Sequence, residues 1–260
     1  MSDTTKTIIS VRNLKIGYGD NVLLQNLNFQ VQCGEVFMVL GSSGSGKSTL
    51  LKNMIGLCPP KAGEIWIEGS NLVTADEDQR LLLFRKFGVM YQNGALFGSM
   101  TLLENVRLPL DELTALPEPL KELIALAKLK LVGLGDAARK MPAELSGGMQ
   151  KRAAIARAMA LDPRILFLDE PSAGLDPVTA AGLDLLIKDL ADHFGITFVI
   201  VTHDLPSIYS IADRVIMLDN RTRTIIAEGK PAELRDNTTD PWMRRFFNRE
   251  PEPSHSAQLN

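Results

Sequence analysis

Only two cysteines, Cys33 and Cys58, occur in 260 residues. That is too few for a disulfide framework or a zinc site, and both read as reduced thiols of a cytosolic protein. Long apolar runs are missing too. The longest, residues 36–40 and 123–127, hold five residues each, against the roughly 20 that a bilayer span needs. No sign of charge dominates: 28 Lys and Arg stand against 31 Asp and Glu, a net charge of −3, so the basic footprint of a nucleic-acid binder is absent. Residues 1–7 are polar and carry no apolar h-region, so nothing marks them for secretion. No internal repeat, coiled-coil insertion or second fused copy stands out. What is present is 45% hydrophobic and 23% charged, an ordinary globular composition with enough chain for one large domain or two small ones. An integral membrane protein, a disulfide scaffold and a disordered chain are thereby excluded, and the chemistry is left open.

Along the chain, residues 8–14 and 22–31 alternate partially as strands about the turn Gly17-Tyr18-Gly19-Asp20. The apolar run 36–40 reads as a buried strand and leads into glycine-rich sequence, after which residues 48–55 read as a helix stopped by Pro59-Pro60. Residues 62–69 suggest a short hairpin strand. From about 93 to 161 the texture is rich in Leu, Ala, Lys and Arg at helical spacing. Strand–helix alternation then resumes: a strand at 165–168, an amphipathic helix at 177–194 and a strand at 196–201, with closing strands at 215–218 and 224–227. This order predicts an α/β fold with a parallel sheet and helices on its faces. The tail beyond Arg249 is polar and expected to be disordered.

The glycine-rich stretch is Gly41-Ser42-Ser43-Gly44-Ser45-Gly46-Lys47-Ser48, followed by Thr49. It fits G-x-x-x-x-G-K-[ST] between a strand and a helix. Glycines let consecutive N–H groups wrap a phosphate chain, and the helix aims its positive end at those phosphates. Lys47 would neutralise the β- and γ-phosphates and Ser48 would bind Mg²⁺. Residues 165–168 then deliver two adjacent carboxylates, with Asp169 suited to Mg²⁺ and Glu170 to polarising the attacking water. The segment Leu145-Ser146-Gly147-Gly148-Met149-Gln150 opens a helix and offers a second anion cradle. One P-loop already saturates one triphosphate, so this cradle is read as closing over ATP held by a second copy of the chain. An ordinary capped helix start is the plainer reading.

Three single residues complete the set. Gln92 follows a strand and could reach Mg²⁺ or the attacking water through its amide oxygen. His203 also follows a strand and could meet the γ-phosphate, although a lone His there is more often structural. Tyr18 could stack on adenine or simply be a half-buried turn aromatic.

In this order the residues resemble the ATP-binding subunits of ABC transporters, over about residues 7–243. Tyr18, the P-loop, Gln92, the Leu145–Gln150 signature, Asp169-Glu170, the D-loop Ser172-Ala173-Gly174-Leu175-Asp176 and the switch His203 all fall in family sequence. The resemblance implies a P-loop NTPase (RecA-like) core, residues 7–92 and 162–230, with an antiparallel β subdomain and a helical ABC subdomain at 93–161. Residues 1–6 and 244–260 would be termini, disordered at the start and partly so at the end. It also implies Glu170 as catalytic base, Asp176 at a dimer interface, and two ATPs between two copies. Met149 departs from the usual signature, which ends in Gln, here one residue later. The Gln92-Asn93-Gly94-Ala95-Leu96-Phe97 stretch, Ser146–Met149 and residues 240–247 resemble the Mla/Mce-type lipid-transport ATPases. That likeness implies a homodimer at the cytoplasmic face of the inner membrane, working with transmembrane permease subunits and a membrane-anchored lipid-binding (Mce-type) subunit, without nucleic acid. By the same analogy Phe97, Met100 and Leu102 either receive a permease helix or pack in the core. Trp242, Phe246 and Phe247 share one face of a short helix, expected to dock on the chain's own core or on a dimer partner. An importer subunit for a polar solute and a non-transport ABC module are the competing readings. A nucleotide kinase fails because it would not use residues 145–150.

Overall fold

A computed structural model describes residues 6–250 of the chain. It opens on an antiparallel hairpin, β1 (Thr7–Tyr18) and β2 (Asn21–Gln32). Then β3 (Val36–Gly41) runs through residues 42–46 into α1 (Lys47–Met54). β4 (Ala62–Ile67) pairs with β1 and with the two-residue β5 (Ser70–Asn71), giving a four-stranded antiparallel sheet in the order β2-β1-β4-β5. α2 (Glu77–Phe84) leads to β6 (Phe87–Met90). The helical segment holds α3 (Leu102–Leu113), α4 (Glu118–Leu131) and α5 (Gly147–Ala158). β7 (Ile165–Asp169), α6 (Pro177–Phe194), β8 (Thr197–Val201), α7 (Leu205–Ile211) and β9 (Arg214–Asp219) follow, then β10 (Thr224–Gly229), α8 (Pro231–Asn237) and α9 (Pro241–Asn248).

The second sheet has the order β10-β9-β3-β8-β7-β6. Its five strands from β9 to β6 are parallel, and β10 adds antiparallel at the edge. The uniformly apolar runs read in the sequence have their reason here, because both faces of this sheet are covered. Alternate side chains serve two different cores. Met38, Leu166, Phe198 and Met217 face the helices, whereas Phe37, Phe167, Val199 and Ile216 face α1 and the antiparallel sheet. Close approach is needed where the end of α5 crosses β6. A Cβ on Gly88 would stand 1.9 Å from the Ala158 carbonyl oxygen.

Leu102 is fully buried in the helical core, so it packs there and receives no partner helix; Phe97 is exposed and Met100 half-buried. At the other end, the apolar face of α9 lies on the chain's own core, with Met243 and Phe247 buried and Trp242 and Phe246 packed beside them. The Tyr209 hydroxyl donates to the Phe247 carbonyl at 3.2 Å, and the Arg221 guanidinium sits 5.6 Å over the Trp242 ring. The helix therefore continues through the boundary drawn at residue 243. The expected disorder of residues 1–6 and of the tail lies almost wholly outside the described residues. Of those that are described, Lys6 accepts from the Cys33 N–H at 2.9 Å and Glu250 donates to the Arg245 carbonyl at 3.0 Å. Among the described residues no helix is long and apolar enough to cross a membrane.

Emptying the Phe247 site should expose how firmly α9 is held. Phe247→Ala is expected to lower the stability of the folded chain by about 3 kcal/mol, as a large-to-small core change does. Urea unfolding of the full chain measures it, and a loss below about 0.5 kcal/mol, the scale of a surface change, would show that α9 is not part of the core.

Candidate nucleotide site

Four parallel strands end on one edge of the large sheet, and each delivers a polar group at or just beyond its last residue. β3 leads to the loop 41–48, β7 to Asp169-Glu170, β8 to His203 and β6 to Gln92. Open α/β sheets bind ligands at this carboxyl edge, because strand ends there leave loops free of the helical layers.

The loop after β3 needs its glycines. Gly44 and Gly46 have φ of 76° and 95°, and Gly41 has 152°. A Cβ on Gly41 would come within 2.5 Å of Ser45 Oγ and 2.7 Å of the Leu218 carbonyl oxygen. Lys47 curls back over the loop and its Nζ donates to the carbonyls of Gly41 at 2.8 Å and Ser42 at 2.9 Å. Burial pulls its affinity for the proton down, opposed by the charges of Glu170 and Asp169. No side chain caps the first turn of α1, so its N–H groups stay available to an anion. Ser45 Oγ is buried without a hydrogen-bond partner among the described residues. A loop with a spare hydroxyl, an ammonium held only by neutral carbonyl partners and an uncapped helix start fits a phosphate chain.

Across the loop, Ser48 Oγ donates to Asp169 Oδ1 at 3.3 Å. Burial raises the Asp169 carboxyl above the usual carboxylate range, partly offset by that hydrogen bond. This hard-oxygen pair suits Mg²⁺, which takes one or two protein ligands and completes its octahedron with water and phosphate oxygens. Among the described residues no three His, Cys, Asp or Glu side chains converge as a metal site, and Mg²⁺ held this way requires no such cluster. Glu170 has φ of 47°, a left-handed conformation unusual for a residue with a side chain, held by its N–H donating to the Val201 carbonyl at 2.8 Å. Strain of this kind collects at functional sites. It aims the carboxylate at His203, whose Nδ1 lies 2.7 Å from Glu170 Oε1.

These groups open onto a cavity of about 920 Å³ walled by residues 41–49, Gln92, Glu170 and His203. Asp169 stands just behind that wall through Ser48. Tyr18 lies beside it, exposed, with its hydroxyl 3.4 Å from Thr49 Oγ1. Ser146, Gly147, Gly148 and Asp176 are not in the wall. Ser146 caps α5 by accepting from the Met149 N–H at 3.3 Å, and Gly148 is buried so tightly that a Cβ would meet Thr179 Cγ2 at 2.3 Å. Asp176 caps α6, accepting from the N–H groups of Val178 and Thr179. The Thr179 hydroxyl bond leads the forces that hold its carboxyl below the usual range.

Several contributors escaped the sequence reading. Leu23, Leu205 and Arg249 also line the cavity, as does Phe246, which the sequence placed only on the apolar face of the last helix. Lys151 of α5 donates to the Gln92 carbonyl, while Arg157 donates to the carbonyls of Gly94 at 2.9 Å and Ala95 at 2.6 Å. Asn105 holds the same segment from its far end, its amide donating to Phe97 and Met100 carbonyls at 3.1 and 3.0 Å. Helical spacing gives no sign of such long-range side chain to backbone bonds.

The description "ABC transporter" fits residues 24–173 of the chain. The chain belongs to the ABC transporter ATP-binding family. It is 38% identical over 247 residues, 95% of this chain and 91% of the relative, to the intermembrane phospholipid transport system ATP-binding protein MlaF of Escherichia coli K12. MlaF of Haemophilus influenzae is 41% identical over 229 residues, 88% of this chain and 86% of its own length. Among solved structures, the ATP-binding cassette MJ0796, a dimer in a post-hydrolysis state with ADP and Pi, superposes with a TM-score of 0.77 at 34% identity. That match covers 86% of this chain and 98% of the cassette. The ABC fold thus agrees with the α/β, P-loop architecture and antiparallel subdomain expected from the sequence.

In this ABC chain Lys47→Ala removes the one cation in the loop wall. ATP affinity should fall about 10- to 100-fold, the worth of one charge-assisted contact. Equilibrium binding of a fluorescent ATP analogue measures it, and unchanged affinity would show that Lys47 does not meet the phosphates.

Proposed function

We propose that this chain is the ATP-hydrolysing subunit of a transporter that moves phospholipid within a Gram-negative envelope. It would energise separate permease subunits and serve outer-membrane lipid asymmetry. The convergence of Lys47, Ser48, Glu170 and His203 on one cavity carries the catalytic half of this reading. The cargo rests on the likeness to MlaF over nearly the whole chain.

Lys47 exchanges its two loop carbonyls for the β- and γ-phosphate oxygens of ATP. Ser48 and Asp169 would hold Mg²⁺, with Gln92 facing the same cavity, and the bound ion would supply charge neutralisation to the phosphates. Glu170 accepts a proton from the attacking water, and His203, bonded to its carboxylate, keeps the acceptor oxygen oriented. Tyr18 gives the adenine a face at the rim. Ser146 and the α5 N-terminus lie outside this cavity, so they act on ATP held by a second copy of the chain, with Asp176 near the junction. One nucleotide then bridges two chains, and its hydrolysis opens the dimer.

Lys151 and Arg157 tie the signature helix α5 to residues 92–95, the start of the segment that faces the permease, with Phe97 exposed on it. Closure of the dimer reaches the permease through that strap. The chain works peripherally at the cytoplasmic face of the inner membrane, and an Mce-type membrane-anchored lipid-binding subunit completes the system.

Glu170→Gln should keep ATP affinity, prolong the ATP-bound dimer and lower kcat by about 10²- to 10⁴-fold, the range for loss of a general base. Steady-state phosphate release with size-exclusion chromatography in ATP checks both. Turnover near the parental rate would remove Glu170 from the role of base.

A further inference from the structure

Behind the His203 loop lies a buried acid that hydrolysis does not require. Asp184, on the inner face of α6, is 5% exposed. Ser207 Oγ stands 2.8 Å from Asp184 Oδ2 and 2.8 Å from Asp204 Oδ2. A hydroxyl has one proton to give, and ionised carboxylates only accept. One of these two short contacts therefore needs a second proton, carried by a carboxyl. Asp184 is its natural site, since Asp204 is half-buried and Asp184 fully so. Burial pushes the Asp184 carboxyl up to about 6, opposed by the bond that the Ser207 hydroxyl can give to the ionised carboxylate and helped by the Asp204 charge.

We propose that Asp184, in its protonated form, is a positioning residue that holds the His203 loop through Ser207 and Asp204. The proton on Asp184 is donated to Ser207 Oγ, and the Ser207 hydroxyl is donated to Asp204. Asp204 is the residue after His203. Its N–H donates to Thr202 Oγ1 at 3.1 Å and its carbonyl accepts from the Ile208 N–H at 3.0 Å, but its side chain caps no helix. Its carboxylate is thus free to be held by Ser207, and the backbone carrying His203 is fixed from both sides.

The charged surroundings leave this proton in place. Asp184 shares a cavity of about 630 Å³ with Glu170, Asp204, His203 and Arg249. On α6, Lys188 is engaged by Asp192 at 3.1 Å and Asp213 at 3.3 Å. From α5, Arg152 donates to the Gly182 carbonyl at 3.0 Å. β8 brings no charged side chain, and α7 brings only hydroxyls toward Asp184. Above pH about 6 the Asp184 proton leaves. Two ionised carboxylates then compete for the one Ser207 proton, and the hold on His203 slackens.

The unfolded chain releases this proton near the ordinary Asp value of about 3.9, so the native state binds more protons from about pH 4 to 6 and loses stability as pH rises through that window. Asp184→Asn keeps an N–H donor toward Ser207 at every pH. Full-length Asp184→Asn and parental protein should unfold alike near pH 4, with the variant gaining in Tm as pH rises to about 7. Its kcat for ATP should match the parent near pH 5.5 and exceed it several-fold near pH 8, with KM for ATP unchanged. Ser207→Ala should lower kcat, and adding Asp184→Asn to it should restore nothing. A Tm difference independent of pH would show that Asp184 carries no such proton. A pH-dependent Tm difference with a flat kcat ratio would show that the proton does not reach His203. The positioning role rests on the proposed hydrolytic role of His203 and Glu170. A parental chain without ATP turnover would sink both, while the unfolding series would still report the proton.

Discussion

Parallel pairing of β3, β8, β7 and β6 is the constraint from which the site follows. Because these strands run the same way, their four carboxyl ends meet on one edge, and residues far apart in sequence become neighbours there. Slipping one strand by a residue would turn its side chains to the opposite core. The alternation of Val36, Met38 and Leu40 against Phe37 and Val39, with different cores on the two faces, makes that costly. Hydrophobic register thus sets the distance between Lys47, Glu170 and His203.

Around this edge the protein places charge where burial makes it responsive. Lys47 and Asp169 are both pushed by burial toward their neutral forms, a state that incoming phosphate oxygens and a divalent cation would reverse. Glu170 is kept in a left-handed backbone conformation beside His203. The helical segment is joined to the same edge where Lys151 of α5 donates to the Gln92 carbonyl and Arg157 to those of Gly94 and Ala95.

Much of this was legible in the sequence. The apolar strands 36–40, 165–168 and 196–201, the glycine loop and the acidic pair are local patterns, and local patterns survive folding because both faces of the sheet are buried. α2 was not read, and α3 was covered only as part of the helical stretch 93–161 with no start drawn, although Asp76 with Gln79 and Thr101 with Glu104 form capping boxes that mark where each begins. Leu102 shows the limit of a face drawn by analogy: it lies at the first turn of α3 and is drawn inward. The roles of Arg249, Lys151 and the Asp184–Ser207–Asp204 chain depend on contacts between distant segments. No spacing rule encodes them.

Whether one nucleotide is held by two chains is decided by seeing what surrounds its terminal phosphate. A structure of the full-length Glu170→Gln protein with ATP should show the γ-phosphate bonded to Lys47 of one copy and to the partner's Ser146. A nucleotide contacted by a single chain, with Ser146 turned to solvent in both copies, would contradict the shared site.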